Sequence, residues 1–317
     1  MLVVDLGFSS AKWLGNNKKG MIKSCYRRHE EGYLFRGDRY LIGERALLAT
    51  GSRYLRTVEE LIEFYPLFVS VAAEKAGIQS DKDLVVGLPY DYWKKEVIKR
   101  KRGATNIIDT LKESLSLIEL NGIFSKFEDV TVYPQGLGGI KWYLKKHKPS
   151  GNILALDIGF NTVISTLYSC SEGEILAGTT YYRKGLHEMA TNLLMPEITR
   201  YLQGRTLTPI EVDYIMHTGH IQVGFDLVDV RSEIQQAVET YVSELLSLVI
   251  GDLKASGGII TFDTLLLFGG GARHLQGKVE AKKVQVVVLD EPEFANTFGF
   301  EIKKKEDIES EGNSGSD

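Results

Sequence analysis

Two short segments of this chain carry the same arrangement of apolar residues, acid and glycine: Leu2–Gly7 reads LVVDLG and Leu154–Gly159 reads LALDIG. An apolar strand that ends in Asp-x-Gly delivers a carboxylate to the edge of a sheet. The glycine lets the backbone turn tightly, so that its N–H groups face an anion such as phosphate. The carboxylates of Asp5 and Asp157 repel phosphate. A carboxylate holds Mg2+ or a magnesium-bound water well, and the metal then bridges to phosphate oxygens. One such turn is ordinary, because Asp and Gly are common turn residues. Two of them, each opening half of the chain, suggest a pair of phosphate hairpins. Lys12 lies seven residues after Asp5, which places it on a return strand within reach of a phosphate.

Two further segments fit this chemistry. Leu265–Ala272 reads LLLFGGGA, a buried strand running into Gly269, Gly270 and Gly271, where a ligand can approach the backbone closely. A helix starting beyond them would aim its positive end at an anion. This is neither a P-loop, since Lys followed by Ser or Thr is missing, nor a dinucleotide fingerprint, since the G-x-G-x-x-G spacing is absent. Tyr133–Gly139 reads YPQGLGG, with Gln135 at a strand-to-helix junction. A glutamine there can orient a water for attack on a γ-phosphate; alone it reads as a surface glutamine.

The elements that must position these residues follow from periodicity. Met1–Leu6, Tyr40–Ile42, Leu84–Leu88, Val130–Tyr133, Ile153–Ile158, Val163–Tyr168, Thr264–Phe268 and Val284–Leu289 read as strands. Val163–Tyr168 closes a hairpin with Ile153–Ile158. Val58–Ala76 has a helical stripe of Leu61, Ile62, Tyr65, Phe68, Val69 and Ala72, with Gly77 as its stop. Gly136–Lys146, Gly185–Tyr201 and Ser232–Leu253 also read as helices. Pro149, Ser150 and Gly151 mark a domain boundary. The tail from Glu301 is rich in charge and ends in Gly, Asn and Ser, so its composition predicts disorder, at least after Ile308.

Composition bounds the rest. The chain has 317 residues, 43% hydrophobic and 25% charged, with a net charge of −4. That fits a two-domain globular protein and carries no general nucleic-acid signature. Cys25 and Cys170 stand alone, which fits a reducing cytoplasm better than a disulfide scaffold. No segment resembles a signal peptide, and no apolar run approaches the roughly 18 residues of a membrane span. The run KKEVIKRKR at Lys94–Arg102 carries a local charge of +5 and reads as a solvated helix face or a contact for an acidic partner. His217 and His220 have i, i+3 spacing but no supporting carboxylate–histidine cluster, so a metal there is not expected. Trp13, Trp93 and Trp142 read as packing residues.

The order Asp5-x-Gly7 with Lys12, then Pro134-Gln135-Gly136, then Asp157-x-Gly159, then Gly269-Gly270-Gly271, then Ala295-Asn296-Thr297-Phe298-Gly299 resembles the five motifs of the actin, heat-shock chaperone and sugar-kinase superfamily. Ile42–Ala46, Val86–Pro89 and Glu293–Asn296 look like the bacterial and archaeal actin-like proteins related to ParM (StbA). The resemblance covers residues 1 to about 300.

It implies an α/β actin-like ATPase fold, with two ribonuclease-H-like lobes around a nucleotide cleft. Domain I would span 1–149 and domain II 150–290, with a returning segment at 291–305 and an acidic tail at 306–317. It implies Mg-dependent ATP hydrolysis, with Asp5 in the magnesium shell through water. Gly7, Ser9, Ser10 and Lys12 would face phosphate in one lobe, and Gly159, Asn161 and Thr162 in the other. Gln135 and Asp157 would position the attacking water. Gly269, Gly270 and Gly271 would approach the α-phosphate and adenosine, and Gly185 the ribose. It also implies filaments that move plasmid or other DNA through an adaptor protein on centromere-like DNA, with no direct sequence-specific DNA contact and no membrane. ParM has Glu where this chain has Gln135, which is closer to actin. The glycines admit adenine or guanine. A small-molecule kinase and a non-filamentous ATP-dependent scaffold of the same superfamily are the alternative readings.

Overall fold

The computed structural model describes residues 1–202, 204, 207, 209–255, 261–279, 281 and 283–314. The chain divides into two compact units, Met1–Lys148 with Glu293–Asp317, and Pro149–Pro292.

The first unit opens with a three-strand meander, β1 (Leu2–Leu6), β2 (Ser10–Gly15) and β3 (Lys18–Lys23). Asn16 and Asn17 both take positive φ between β2 and β3, a conformation asparagine tolerates better than most residues. A small sheet follows, in the order β5–β4–β6, from β4 (Cys25–Phe35), β5 (Asp38–Ile42) and β6 (Arg53–Tyr54), with α1 (Glu44–Leu47) between the last two. Next comes α2 (Val58–Ala76), started by a Thr57–Glu60 capping box and stopped by Gly77 at φ 73°. Nearly every side chain from Phe64 to Ala73 is buried, so α2 is a core helix rather than a surface one.

Then follow β7 (Ser80–Leu88), α3 (Tyr90–Lys101), α4 (Ile107–Ser116), β8 (Leu117–Leu120), β9 (Ile123–Pro134) and α5 (Leu137–Lys146). The main sheet runs β3–β2–β1–β7–β9–β8. β1, β7 and β9 are parallel neighbours, joined by helical crossovers as parallel pairs require. The basic run lies on α3. Its one acid, Glu96, is buried and accepts from Lys99 Nζ at 2.6 Å and from the Ile107 backbone N–H at 2.8 Å.

The second unit repeats this plan. β10 (Asn152–Ile158), β11 (Thr162–Ser169) and β12 (Glu174–Tyr182) form the meander. α6 (Leu186–Met189) passes through a single π-helical stretch, Ala190–Leu194, into α7 (Met195–Leu202). Sequence periodicity read one regular helix there. The wider turn comes just before Pro196, which has no N–H for a regular ladder. α8 (Pro209–Thr218), the hairpin β13 (His220–Val223) and β14 (Asp226–Asp229), and α9 (Arg231–Ala255) lead to β15 (Thr264–Phe268) and β16 (Gln285–Val288). The sheet order is β12–β11–β10–β15–β16, with β10, β15 and β16 parallel. In each unit the first strand thus has its meander on one side and two parallel strands on the other.

The chain returns to the first unit as α10 (Ala295–Ser314). Here the expectation of a disordered tail from residue 306 fails, since helix continues to Ser314; residues 315–317 lie outside the described residues. Composition misleads because the charges have partners. Lys141 pairs with Glu306 at 2.8 Å, and Lys305 with Glu301 at 2.7 Å. Tyr133 and Lys303 both bond Asp307. The nearly buried Lys304 reaches Asp129 and Asp83.

Burial alone would raise Asp129 and Asp307, but their bonds to Lys304 and to Lys303 and Tyr133 hold both below the usual aspartate range. A depressed folded-state value stabilises the fold above the unfolded carboxylate value, about 3.9, and that stability drains away as pH falls further. Lys304→Met should therefore lower the melting temperature at pH 6, and by less at about pH 2, since the pairing stabilises less as pH falls through the depressed values. An equal decrement at both pH values in thermal melts would contradict the pairing.

Candidate phosphate-binding turns and their supports

In the first unit Asp5 pairs with Lys12 across the β1–β2 hairpin. The turn closes by Gly7 N–H donating to Ser10 O at 3.1 Å. Ser24 anchors it from outside, its Oγ donating to Gly7 O at 2.5 Å and its N–H to Ser9 O at 3.0 Å. A Cβ on Gly7 would stand 3.3 Å from Lys12 Nζ, so the lysine folds back over the turn. Ser10 is buried, while Gly7, Ser9 and Lys12 are half-buried.

The Asp5 carboxylate is 4% exposed. It accepts from Gln135 Nε2 at 2.7 Å and from Asn296 Nδ2 at 3.3 Å. Gln135 is therefore not a surface residue: its backbone N–H bonds Leu88 O at 2.7 Å, and its amide is turned onto Asp5. Asn296 Oδ1 in turn accepts from Gly136 N–H at 3.2 Å. Asn296 is a functional candidate that residue-by-residue reading missed. The motif containing it was visible, but nothing in the sequence says that α10 crosses back beside β1.

The crossing depends on two glycines. A Cβ on Gly138 would lie 2.4 Å from Asn296 Cα, and one on Gly299 1.7 Å from Gly138 O. The backbones of α5 and α10 touch there.

In the second unit Asp157 pairs with Ile164 on β11 and with Phe268 on β15. The turn closes by Gly159 N–H donating to Thr162 O at 2.8 Å, the counterpart of the Gly7–Ser10 bond. The sequence repeat runs further than the Asp-x-Gly core, since Gly7-Phe8-Ser9-Ser10 is matched by Gly159-Phe160-Asn161-Thr162. Gly159, Asn161 and Thr162 are half-buried, as is Asp157. No lysine stands at the Lys12 position, so the two turns differ in charge.

Gly185 sits against this turn. A Cβ there would be 2.5 Å from the carbonyl oxygens of Gly159 and Phe160. The next two N–H groups, of Leu186 and His187, donate to those carbonyls at 3.1 and 2.8 Å. The start of α6 thus braces the backbone of the turn.

The three glycines after β15 are not equivalent. Gly269 has φ 86°, and a Cβ on it would stand 2.4 Å from Asp157 Oδ1 and 2.6 Å from Ile158 O. Gly271 donates its N–H to Ile158 O at 2.7 Å, and its Cβ would meet the Ile158 side chain at 2.7 Å. Around Gly270 a Cβ would meet nothing within 4 Å. Two of the three glycines therefore serve the packing of β15 against the Asp157 turn, and Gly270 leaves its backbone open to a ligand. The element beyond is one 3-10 turn, Ala272–Leu275, rather than the expected α-helix, and its short dipole adds little.

The oxygen-only donors here suit a hard cation such as Mg2+, which keeps most of its waters and takes one or two carboxylates. Among the described residues no group of three His, Cys, Asp or Glu side chains gathers as a metal site. His220 Nδ1 lies 2.7 Å from Thr218 O, a local turn contact. Cys25 is buried, with its thiol pushed up to about 11, chiefly by burial, and bonds Gly43 O. Trp142 packs on Phe298 with the rings tilted by 39° and their centroids 4.7 Å apart, and Trp93 Nε1 donates to Val132 O at 3.0 Å. Among the described residues, no helix is long and apolar enough to cross a membrane.

No family model and no curated protein matches the sequence. Solved structures do. The native archaeal actin homolog Ta0583 aligns at a TM-score of 0.75 and 17% identity, over 96% of this chain and 100% of that one. The same homolog in complex with ADP aligns at a TM-score of 0.75 and 16% identity, over the same shares of the two chains. A 15-stranded ParM filament from Clostridium botulinum aligns at 0.71 and 19% identity, over 96% of this chain and 98% of that one. These similarities run nearly end to end and agree with the repeated strand order and the paired turns. The chain has the actin-like fold.

Proposed function

We propose that this chain binds ATP with Mg2+, hydrolyses it, and assembles into filaments under control of the bound nucleotide. The observation that carries this reading is the duplicated hairpin. In each unit an Asp-x-Gly turn ends the first strand and is closed by the same glycine N–H to carbonyl bond, at 3.1 and 2.8 Å. Each unit thus supplies one turn able to face phosphate. The archaeal homolog solved with ADP, and the ParM filament, support the nucleotide and the assembly respectively.

The residues divide the chemistry. Gly7, Ser9, Ser10 and Lys12 bind phosphate in the first unit, and Gly159, Asn161 and Thr162 in the second. Asp5, held by Gln135 and Asn296, is the residue for the magnesium shell, where the metal supplies charge neutralisation on the phosphates. Asp157 orients the attacking water and accepts its proton, and Gln135 assists in orienting that water. Gly270 offers open backbone to the nucleotide, while Gly269, Gly271 and Gly185 hold the second turn in shape. Gly185 is also the residue for the ribose, and Gly269 and Gly271 join Gly270 in approaching the α-phosphate and adenosine through backbone.

The filament would work in the cytoplasm on plasmid or other DNA, through an adaptor protein bound to centromere-like DNA. Pelleting at tens of micromolar protein with ATP, ADP or no nucleotide, alongside phosphate release, tests this. ATP-dependent pelleting with phosphate release is the expected result. Turnover only with a small-molecule acceptor would instead make the chain a kinase. Nucleotide binding with no pelleting would make it a scaffold.

A further inference from the structure

The parallel ladder between β1 and β7 stops early. Its pairs are Leu2 with Leu84, Val3 with Val85 and Val4 with Val86, whereas β7 stays paired with β9 through Gly87 and Leu88. Beyond Val4 no further β1–β7 pair forms, and the hydroxyl of Tyr65 from α2 bonds the backbone of both strands there. Tyr65 is 1% exposed, and its single hydroxyl contacts four backbone groups. It accepts from Leu6 N–H at 3.3 Å and Gly87 N–H at 3.1 Å. It faces Val4 O at 3.1 Å and Gly87 O at 3.0 Å. A hydroxyl has one proton and two lone pairs, so it accepts both N–H groups and donates to one carbonyl at a time.

On the other face of these strands lies the carboxylate of Asp5. A Cβ on Gly87 would stand 2.9 Å from Asp5 Oδ1 and 3.2 Å from the Gln135 side chain. The opening between β1 and β7 is thus the slot in which Asp5 and Gln135 meet, and its width is set from behind by one hydroxyl. Burial, then the Asp5 charge, raises the phenol strongly, so it stays protonated across the physiological range.

We propose that Tyr65 is a positioning residue for the Asp5–Gln135 pair: its hydroxyl replaces the missing rungs between β1 and β7 and sets the spacing of that pair for magnesium-bound nucleotide. This rests on the proposed hydrolysis.

Tyr65→Phe removes the hydroxyl and keeps the ring. Amide hydrogen exchange at Leu6 and Gly87 should accelerate relative to their neighbours. The Mg2+ concentration for half-maximal phosphate release should rise, and turnover should fall about 10- to 100-fold, the scale of a small misplacement in a reacting site. Binding of the fluorescent nucleotide mant-ATP without Mg2+ should hold. Tyr40→Phe removes a hydroxyl of the same unit that bonds Asp38 at 3.3 Å, and should leave the Mg2+ response unchanged. If Tyr65→Phe is poorly folded, all proteins are compared in trimethylamine N-oxide, which favours the compact state.

A variant that only melts earlier, with the Mg2+ response and turnover of the wild type, overturns the proposal. Wild-type protein that releases no phosphate defeats the hydrolysis reading instead. The joint is then judged by the two amides and by the Mg2+ dependence of mant-ATP binding, and unchanged values for both would end it.

Discussion

Asp157→Ala should cut phosphate release by about 100- to 10,000-fold, the range lost with a general base, while ATP still binds. Asp157 lies one residue before the end of β10, in register with Phe268, and the backbone of Gly269 lies against its carboxylate. That placement makes the side chain a fixed acceptor rather than a mobile surface acid. Gln135→Ala should act in the same direction. It also strips the 2.7 Å donor from Asp5, so its response to Mg2+ should shift as well. Single-turnover phosphate release and mant-ATP titration separate chemistry from binding. If both variants release phosphate at the wild-type rate, the assignment of the water-positioning residues is wrong.

Gly299→Ala should be the most damaging single methyl in the first unit. The added Cβ would lie 1.7 Å from Gly138 O and 2.4 Å from its carbonyl carbon, so it cannot be absorbed by rotating a side chain. Overpacking of this kind costs about 3 kcal/mol or more, or a fall in melting temperature of roughly 6–12 °C for a domain of this size. The shift of α10 would also carry Asn296 away from Asp5 and Gly136, so phosphate release should suffer beyond the loss of folded protein. Gly312→Ala, on the same helix with nothing within 4 Å, should instead be neutral or stabilising by up to about 1 kcal/mol. Equal melting curves for the two variants would show that the helices do not cross at Gly138 and Gly299.

Local sequence determined much of this protein. The limits of α2 were legible because an apolar stripe at helical spacing and a stopping glycine are local signals, matched by the helix Val58–Ala76 and by Gly77 at φ 73°. Both Asp-x-Gly hairpins were legible because an apolar strand, an acid and a glycine are contiguous. Three other features were decided only by tertiary structure. The tail from residue 306 looked unfoldable by composition, yet Lys141 and Tyr133 on other elements bond Glu306 and Asp307, and Asp129 and Asp83 hold Lys304 just before it. A run of three glycines does not say which of them packs closely against another turn; Gly269 and Gly271 do so at Asp157 and Ile158, and Gly270 does not. Tyr65 read only as part of an apolar stripe, and the motif holding Asn296 did not say what Asn296 would meet. Each meets the Asp5 neighbourhood from far along the chain, and a strand's sequence records what it buries but not which distant side chain is brought against it. The chemistry-bearing residues were therefore written locally, whereas the groups that hold them in place come from long-range packing.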